Sequence, residues 1–191
     1  VRPMNGGGSS YDRLVRGLQL FEEHGRPNHL SARITVTPSA KNLSGILDHV
    51  LSLGFDSAGF SPVLVSPDPS QALDPGDFDW MLEGMVACGE KARRSILERQ
   101  RYPFSNFETA LQEIDRGSHR PYPCGAGAAY LSVSAEGGLY ACHRLVEDPK
   151  HRFGDVWVGS DVLARVAHLQ ERHVDRQEPC RSCWARYLCG G

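Results

Sequence analysis

Five of the six cysteines lie between positions 124 and 189 of the 191-residue chain, at spacings that suit metal binding. Cys180 and Cys183 form a C-x2-C pair, and Cys189 follows after five further residues. A C-x2-C pair on a tight turn lets both sulfurs reach one metal centre. Because thiolates are soft ligands, the sequence predicts zinc or an iron–sulfur cluster at these three residues.

The other two cysteines of this group, Cys124 and Cys142, flank a predicted β-hairpin. Alternating residues at 131–134 are followed by a Gly-containing turn at 135–138, and the chain then returns to Cys142. A hairpin brings its two ends together, so we expect Cys124 and Cys142 to share one metal site. The sixth cysteine, Cys88, lies inside a helical pattern without a neighbouring cysteine, and we interpret it as a small buried core residue.

Composition and charge exclude several classes of function. The net charge of −2 gives no electrostatic basis for binding nucleic acid or an anionic membrane. No apolar run is long enough to span a bilayer, and the N-terminal residues do not resemble a signal peptide. We therefore expect a cytoplasmic protein with reduced thiols, while a secreted protein with disulfides remains the opposite interpretation of six cysteines.

The elements that must position these residues begin with an α/β pattern. A helix is predicted to open at 9–12, where Ser9 and Asp12 stand in a capping relation, and to stop at Gly25. A strand is predicted at 30–37, a second helix at 42–53 and a second strand within 55–65. This order predicts an α/β fold with a parallel sheet. Two interpretations stay open, namely a small α/β domain or part of a barrel.

The middle of the chain is predicted to be helical. After a linker at 67–76, a helix is expected at 77–99 and another at 105–116, and a later helix at 161–173. The apolar residues expected to form the buried face of the helix at 77–99 are Phe78, Met81, Leu82, Met85 and Val86.

The cysteine pattern C-x12-G-x4-C, followed after a gap by C-x2-C-x5-C, resembles that of the SPASM domain. That domain is the C-terminal module of radical S-adenosylmethionine (SAM) enzymes that modify peptides and proteins. The matching residues are Cys124, Gly137, Cys142, Cys180, Cys183 and Cys189. The resemblance implies the C-terminal part of a partial (β/α)6 TIM-type barrel at 1–66, a helical connector at 67–120 and a SPASM-like α+β module at 121–191.

The resemblance also implies two auxiliary [4Fe–4S] clusters. Cys124 and Cys142 would bind the first, and Cys180, Cys183 and Cys189 the second. The family's remaining cluster ligands fall beyond the last residue, and its C-x3-C-x2-C motif for the catalytic cluster is absent from the chain. We therefore expect an internal fragment of a longer enzyme that is inactive alone, with a natural protein carrying only the binding module as the rival account.

The function implied by the resemblance is SAM-dependent hydrogen abstraction from a peptide or protein substrate. His143 occupies the position that holds a catalytic aspartate in sulfatase-maturing members, which favours peptide crosslinking over formylglycine formation. His143 is thus a candidate catalytic residue, and Arg33 and Gly8 are candidate cofactor-binding residues. The alternative function is a zinc-binding interaction module with a four-thiolate site made of Cys124, Cys142, Cys180 and Cys183.

Overall fold

The computed structural model describes residues 7–117 and 119–189, with Glu22 described by its backbone alone. The chain divides into two compact units, Val1–Leu111 and Gln112–Gly191. None of the described helices combines the length and the apolarity that crossing a lipid bilayer requires.

The first unit alternates helices and strands. Its elements, with the last helix continuing into the second unit, are α1 (Ser10–His24), β1 (Ser31–Val36), α2 (Leu43–Ser52), β2 (Ser57–Pro62), α3 (Phe78–Leu97) and α4 (Ser105–Asp115). Side chains cap the first two helices, because Ser9 Oγ accepts a hydrogen bond from Asp12 N and Asn42 Oδ1 accepts one from Gly45 N. The predicted order of elements and their approximate bounds are confirmed.

The two strands pair in parallel, as the sequence predicts, with Ser31 opposite Ser57 and Val36 opposite Pro62. A single parallel bridge between Ala58 and Phe104 extends the pairing beyond β2. Within the described residues the sheet does not close into a barrel, so the expected partial barrel is matched only by a two-stranded parallel sheet.

The core of the first unit lies between one face of this sheet and helices α2 and α3. Its fully buried members are Val36, Leu43, Leu47, Ala58, Phe60, Leu73, Cys88, Ala92 and Phe104. Cys88 has no exposed surface, and burial followed by the nearby Asp48 charge raises the pKa of its thiol to about 11. The interpretation of Cys88 as a core residue is confirmed.

The predicted buried face of α3 is partly wrong. Phe78, Leu82 and Val86 are 40%, 62% and 56% exposed. Buried residues Cys88 and Ala92 instead continue the line of Met81 and Met85, which pack on the core. The steps of four, three and four residues along this line follow the helical period, and the apolar residues off it face away.

A polar cluster ties α2 to α3 at the edge of this core. Lys91 Nζ donates to Asp48 Oδ1 and Oδ2 at 2.5 and 2.6 Å, and Tyr102 OH donates to Asp48 Oδ1 at 2.7 Å. We call these three residues the Asp48 cluster. Burial alone would raise the pKa of Asp48, but the two hydrogen-bond donors outweigh it and hold that pKa below its ordinary value.

The second unit contains an antiparallel sheet of four short strands in the order β3 (Ser132–Val133), β4 (Gly138–Tyr140), β5 (Arg152–Asp155) and β6 (Gly159–Ser160). The first pair is the hairpin predicted between Cys124 and Cys142. Helix α5 (Val162–Arg172) follows the sheet, and the short helix α6 (Arg186–Cys189) comes near the end. This mixture of short antiparallel strands and helices agrees with the expected α+β character of the module.

Candidate functional site

Cys124 and Cys142 both influence one tyrosine hydroxyl in the second unit. The pKa of Tyr130 is raised by burial, by the charges of Cys124 and Cys142, and by a hydrogen bond between its hydroxyl and Cys124. Both cysteines therefore lie within electrostatic range of the Tyr130 hydroxyl.

Backbone hydrogen bonds at the base of the hairpin explain this proximity. Gly127 N donates to Ala141 O at 3.0 Å, which joins the segment after Cys124 to the residue before Cys142. Arg165 of α5 holds the same turn, since its guanidinium donates to Gly127 O and, at 2.6 Å, to Ala128 O. The two cysteines thus lie at the ends of segments that are fixed by the backbone.

Cys180 and Cys183 occupy a single tight turn, as the C-x2-C spacing predicts. Cys183 N donates to Cys180 O at 3.0 Å, so the chain reverses direction between the two thiols. Cys189 is the last residue of α6, where its N–H donates to Ala185 O at 2.8 Å. Arg186 connects the turn to this helix, because its guanidinium donates to Arg181 O at 2.7 Å.

Tyr187 anchors α6 to the rest of the second unit. Its hydroxyl donates to both carboxylate oxygens of Asp175 at 2.9 Å, its ring stacks on His119, and its carbonyl accepts from Arg120 N at 2.9 Å. Arg186 adds an ion pair to Asp175 at 3.4 Å. The segment that carries Cys189 is therefore held by the contacts of Arg186 and Tyr187.

The cysteines of the second unit are all available as ligands. None of the six cysteines of the chain is in a disulfide; Cys124, Cys183 and Cys189 are exposed, and Cys142 and Cys180 are half-buried. Accessible free thiols fit the soft centres expected from the sequence, either iron–sulfur clusters or zinc. Across residues 7–117 and 119–189, however, no three His, Cys, Asp or Glu side chains are grouped closely enough to hold a metal ion.

Of the remaining candidates, His143 lies in the second unit, and Gly8 and Arg33 lie in the first. His143 is exposed and opens a single 3-10 turn directly after Cys142. Gly8 has a positive φ of 108° at the entrance to α1, beside an open groove lined by the first turns of that helix. Arg33 is exposed on β1 and lines a cavity of about 230 Å³ in the first unit.

Three features of the site were not predicted from the sequence. Tyr130 is a lone aromatic residue in a Gly- and Ala-rich stretch, and nothing in its spacing marks it as a neighbour of two cysteines. The pairing of Tyr187 with Asp175 joins residues without a shared motif. Asn106, whose side-chain amide hydrogen-bonds to Phe60 of β2, lies at the start of the helix predicted at 105–116, and the sequence did not predict this contact.

Comparison with known proteins supports the fold assignment. No family model matches the chain. A protein of Archaeoglobus fulgidus described as uncharacterized is 24% identical over 196 aligned residues, which cover 96% of this chain and 45% of that protein.

Solved structures of anSMEcpe, an anaerobic sulfatase-maturating enzyme of the radical SAM class, share the fold. The structure with bound AdoMet and Kp18Cys peptide superposes with a TM-score of 0.71 at 18% identity, covering 100% of this chain and 54% of that one. A second structure with AdoMet gives a TM-score of 0.68 over 96% of this chain and 51% of that one. The chain thus shares its fold with about half of anSMEcpe and spans about half the length of the proteins that it matches.

Proposed function

We propose that this chain is part of a radical SAM enzyme that abstracts hydrogen from a peptide or protein substrate. Its cysteines would hold auxiliary [4Fe–4S] clusters, with SAM as the cofactor of the whole enzyme. The observation that carries the proposal is that thiols at SPASM-like spacing occur on a fold shared with a radical SAM enzyme.

The ligands divide into two groups. Cys124 and Cys142 would contribute to one cluster from the base of the hairpin, and Cys180, Cys183 and Cys189 to the other. When bound, such clusters can take an electron from a substrate or bind a substrate thiolate. The protein's own contribution is to fix the thiols, through Arg165 at the first group and Tyr187 at the second.

His143 is the residue on which we base the type of modification. It directly follows Cys142 and is exposed, so its imidazole is accessible to a substrate beside that ligand. An imidazole in place of a carboxylate favours peptide crosslinking over formylglycine formation. The solved neighbours are sulfatase-maturating enzymes, but at 18% identity they support only the common fold.

A second candidate function is a zinc-binding interaction module without catalysis. Four thiolates are one of the ligand sets of structural zinc, and Cys124, Cys142, Cys180 and Cys183 would supply them. This alternative is favoured by the exposure of the thiols. It requires no catalytic domain elsewhere in the protein. The two functions differ in the metal that the protein takes up.

Anaerobic incubation of the purified 191-residue chain with ferrous iron and sulfide separates the two candidates. We expect a brown protein with broad visible absorbance from thiolate-to-iron charge transfer. The double variant Cys180→Ser/Cys183→Ser should lose about half or more of the bound iron, because it removes two of three ligands from one group.

The matched control is Cys88→Ala, which removes a cysteine that lies in the core of the first unit. Its iron content should equal that of the parent, provided that circular dichroism shows a folded chain. A colourless protein that takes up one zinc ion and no iron would refute the cluster proposal and establish the zinc module instead.

A further inference from the structure

The sheet of the first unit has two chemically different faces. Ala32, Ile34 and Phe60 pack into the core on one face. On the other face Ser31 and Arg33 of β1 alternate with these residues and line the cavity of about 230 Å³ beside Gly59 of β2. Since polar side chains on a strand face need solvent or a ligand, this face is a candidate binding surface.

A chain of hydrogen bonds runs along this face and ends in the cavity. Ser57 Oγ donates to Ser31 Oγ at 2.9 Å, and His29 Nε2 lies 3.3 Å from Ser57 Oγ. Because the Ser57 hydroxyl proton is used toward Ser31, His29 Nε2 must be the donor to Ser57. Ser31 then accepts from Ser57 and keeps its own proton available for an acceptor in the cavity.

The far wall of the cavity is held in place by Asn106. Its Oδ1 accepts from Phe60 N at 2.7 Å, and its Nδ2 donates to Phe60 O at 3.2 Å. Ser105 lies directly over Gly59, where a Cβ would collide with the serine hydroxyl. The side chain of Ser105 therefore occupies the space that Gly59 leaves free, and the wall is rigid rather than a mobile loop.

The cavity carries one uncompensated positive charge. Arg33 is the only charged residue that lines it, and within the described part of the chain its guanidinium makes neither a hydrogen bond nor an ion pair. The nearby carboxylate of Asp56 is already bound by Arg26 at 2.9 Å and by Leu30 N at 2.7 Å. A planar guanidinium next to a free hydroxyl donor matches a carboxylate.

We propose that this cavity binds a carboxylate, with Arg33 as the charged contact and Ser31 as the hydroxyl donor. Ser57 and His29 act as positioning residues that orient the Ser31 hydroxyl. At about 230 Å³ the cavity is smaller than the roughly 300–1,000 Å³ of sites that enclose a whole drug-sized ligand, so it suits one carboxylate-bearing end. That the carboxylate belongs to an acidic peptide side chain or to the amino-acid end of SAM rests on the proposed function.

Nuclear magnetic resonance titration of the ¹⁵N-labelled 191-residue chain tests the site. The probe is the blocked tripeptide acetyl-Ala-Glu-Ala-amide, and its neutral match is acetyl-Ala-Gln-Ala-amide. We expect saturable shifts of the Ser31, Arg33 and Gly59 amides with the acidic peptide, and at least about tenfold weaker binding of the neutral one.

Variants assign the roles of the two contacts. Arg33→Met should weaken binding of the acidic peptide about tenfold or more, and Ser31→Ala should weaken it by a few-fold. In both variants the amide signals away from the cavity should stay in place, which shows that the fold is unchanged. His29→Gln should weaken it less than Ser31→Ala, because Arg33 and the Ser31 hydroxyl both remain. The control Arg94→Met removes an exposed arginine of α3 and should leave binding unchanged.

Titration with SAM, and separately with inorganic phosphate, completes the test. If SAM shifts the same amides and depends on Arg33, the cofactor is a source of the carboxylate; if only the acidic peptide does so, the source is the peptide. Equal binding of the Glu and Gln peptides, tighter binding of phosphate, or unchanged binding in Arg33→Met would overturn the proposal. Because no cysteine takes part, carboxylate binding and iron uptake can fail independently of each other.

Discussion

Replacing Asn106 with alanine should destabilise the first unit by removing a side chain that extends the sheet. The N–H and C=O of Phe60 both point away from β1, at the edge of β2 that is paired only by the Ala58–Phe104 bridge among the described residues. The amide of Asn106 satisfies both groups at 2.7 and 3.2 Å and so takes the place of a neighbouring strand. In Asn106→Ala these two partly buried backbone groups lose their partner.

The expected cost follows from the number of bonds. A typical intramolecular hydrogen bond contributes about 0.5–1.5 kcal/mol, so two of them give about 1–3 kcal/mol of unfolding free energy. With a urea m-value of about 2 kcal/mol/M, this loss corresponds to a midpoint lower by about 0.5–1.5 M. Asn106→Asp keeps an acceptor for Phe60 N but loses the donor to Phe60 O, and it places a carboxylate beside that carbonyl. We therefore expect it to lie near the unstable end of this range.

Urea unfolding followed by tryptophan fluorescence measures the midpoint, and amide hydrogen exchange of Phe60 reports on the site itself. The control is Thr109→Ala, one turn further along α4, whose side-chain hydroxyl makes no hydrogen bond within the described residues, and this change should alter stability by less than about 0.5 kcal/mol. The reasoning is refuted if the unfolding free energy of Asn106→Ala lies within about 0.5 kcal/mol of the parent value and the Phe60 amide keeps its protection from exchange.

Three further perturbations test other parts of the structure. Burial lowers the pKa of His168, so the stability that its neutral form provides should be lost as the pH falls below about 6.5. In His168→Gln, the unfolding free energy measured in urea should depend less on pH between about pH 5 and 7. Gly154→Ala places a Cβ against the carbonyl of Gly159 at a φ of 115°, so thermal unfolding should show an unfolding free energy lower by about 1–3 kcal/mol. Gly17→Ala, on the open face of α1, should instead raise the unfolding free energy by up to about 1 kcal/mol. The lowered pKa of Asp48 means that its cluster stabilises the fold above about pH 4 and loses that contribution as the pH falls further, so Asp48→Asn should be less stable near neutrality and less sensitive to acid.

Local signals were sufficient to predict the elements of the first unit. The start of α1 was encoded by Ser9 and its end by Gly25, which has a φ of 108°. The alternation in β1 predicted both the strand and its polar face. The parallel pairing followed from the helix between the two strands, because such a crossover joins parallel neighbours.

The orientation of α3 could not be predicted from its own residues. Its apolar residues are spread over more than one face, so the pattern alone does not select the buried one. The structure buries the line through Cys88 and Ala92 because these small residues allow a close approach to α2, with Leu43 in contact distance of Gly84. Packing on a partner helix is a property of two segments that are far apart in sequence.

The candidate site was predicted only at the level of spacing. The C-x2-C turn is local, so its geometry followed from the motif. The proximity of Cys124 to Cys142 depends on a hairpin, which the turn at Gly137 signals. By contrast, the hydrogen bonds from Arg165 and from Tyr187 connect positions more than ten residues apart without a repeated pattern, and they required the three-dimensional structure.

Mössbauer spectroscopy of the chain after anaerobic reconstitution with ⁵⁷Fe and sulfide tests the central claim most directly. The account predicts the spectrum of [4Fe–4S] clusters bound to the thiols of the second unit, with the signal reduced in Cys180→Ser/Cys183→Ser and retained in Cys88→Ala. A spectrum of mononuclear or unspecifically bound iron alone, identical in the parent and in the double variant, would contradict it.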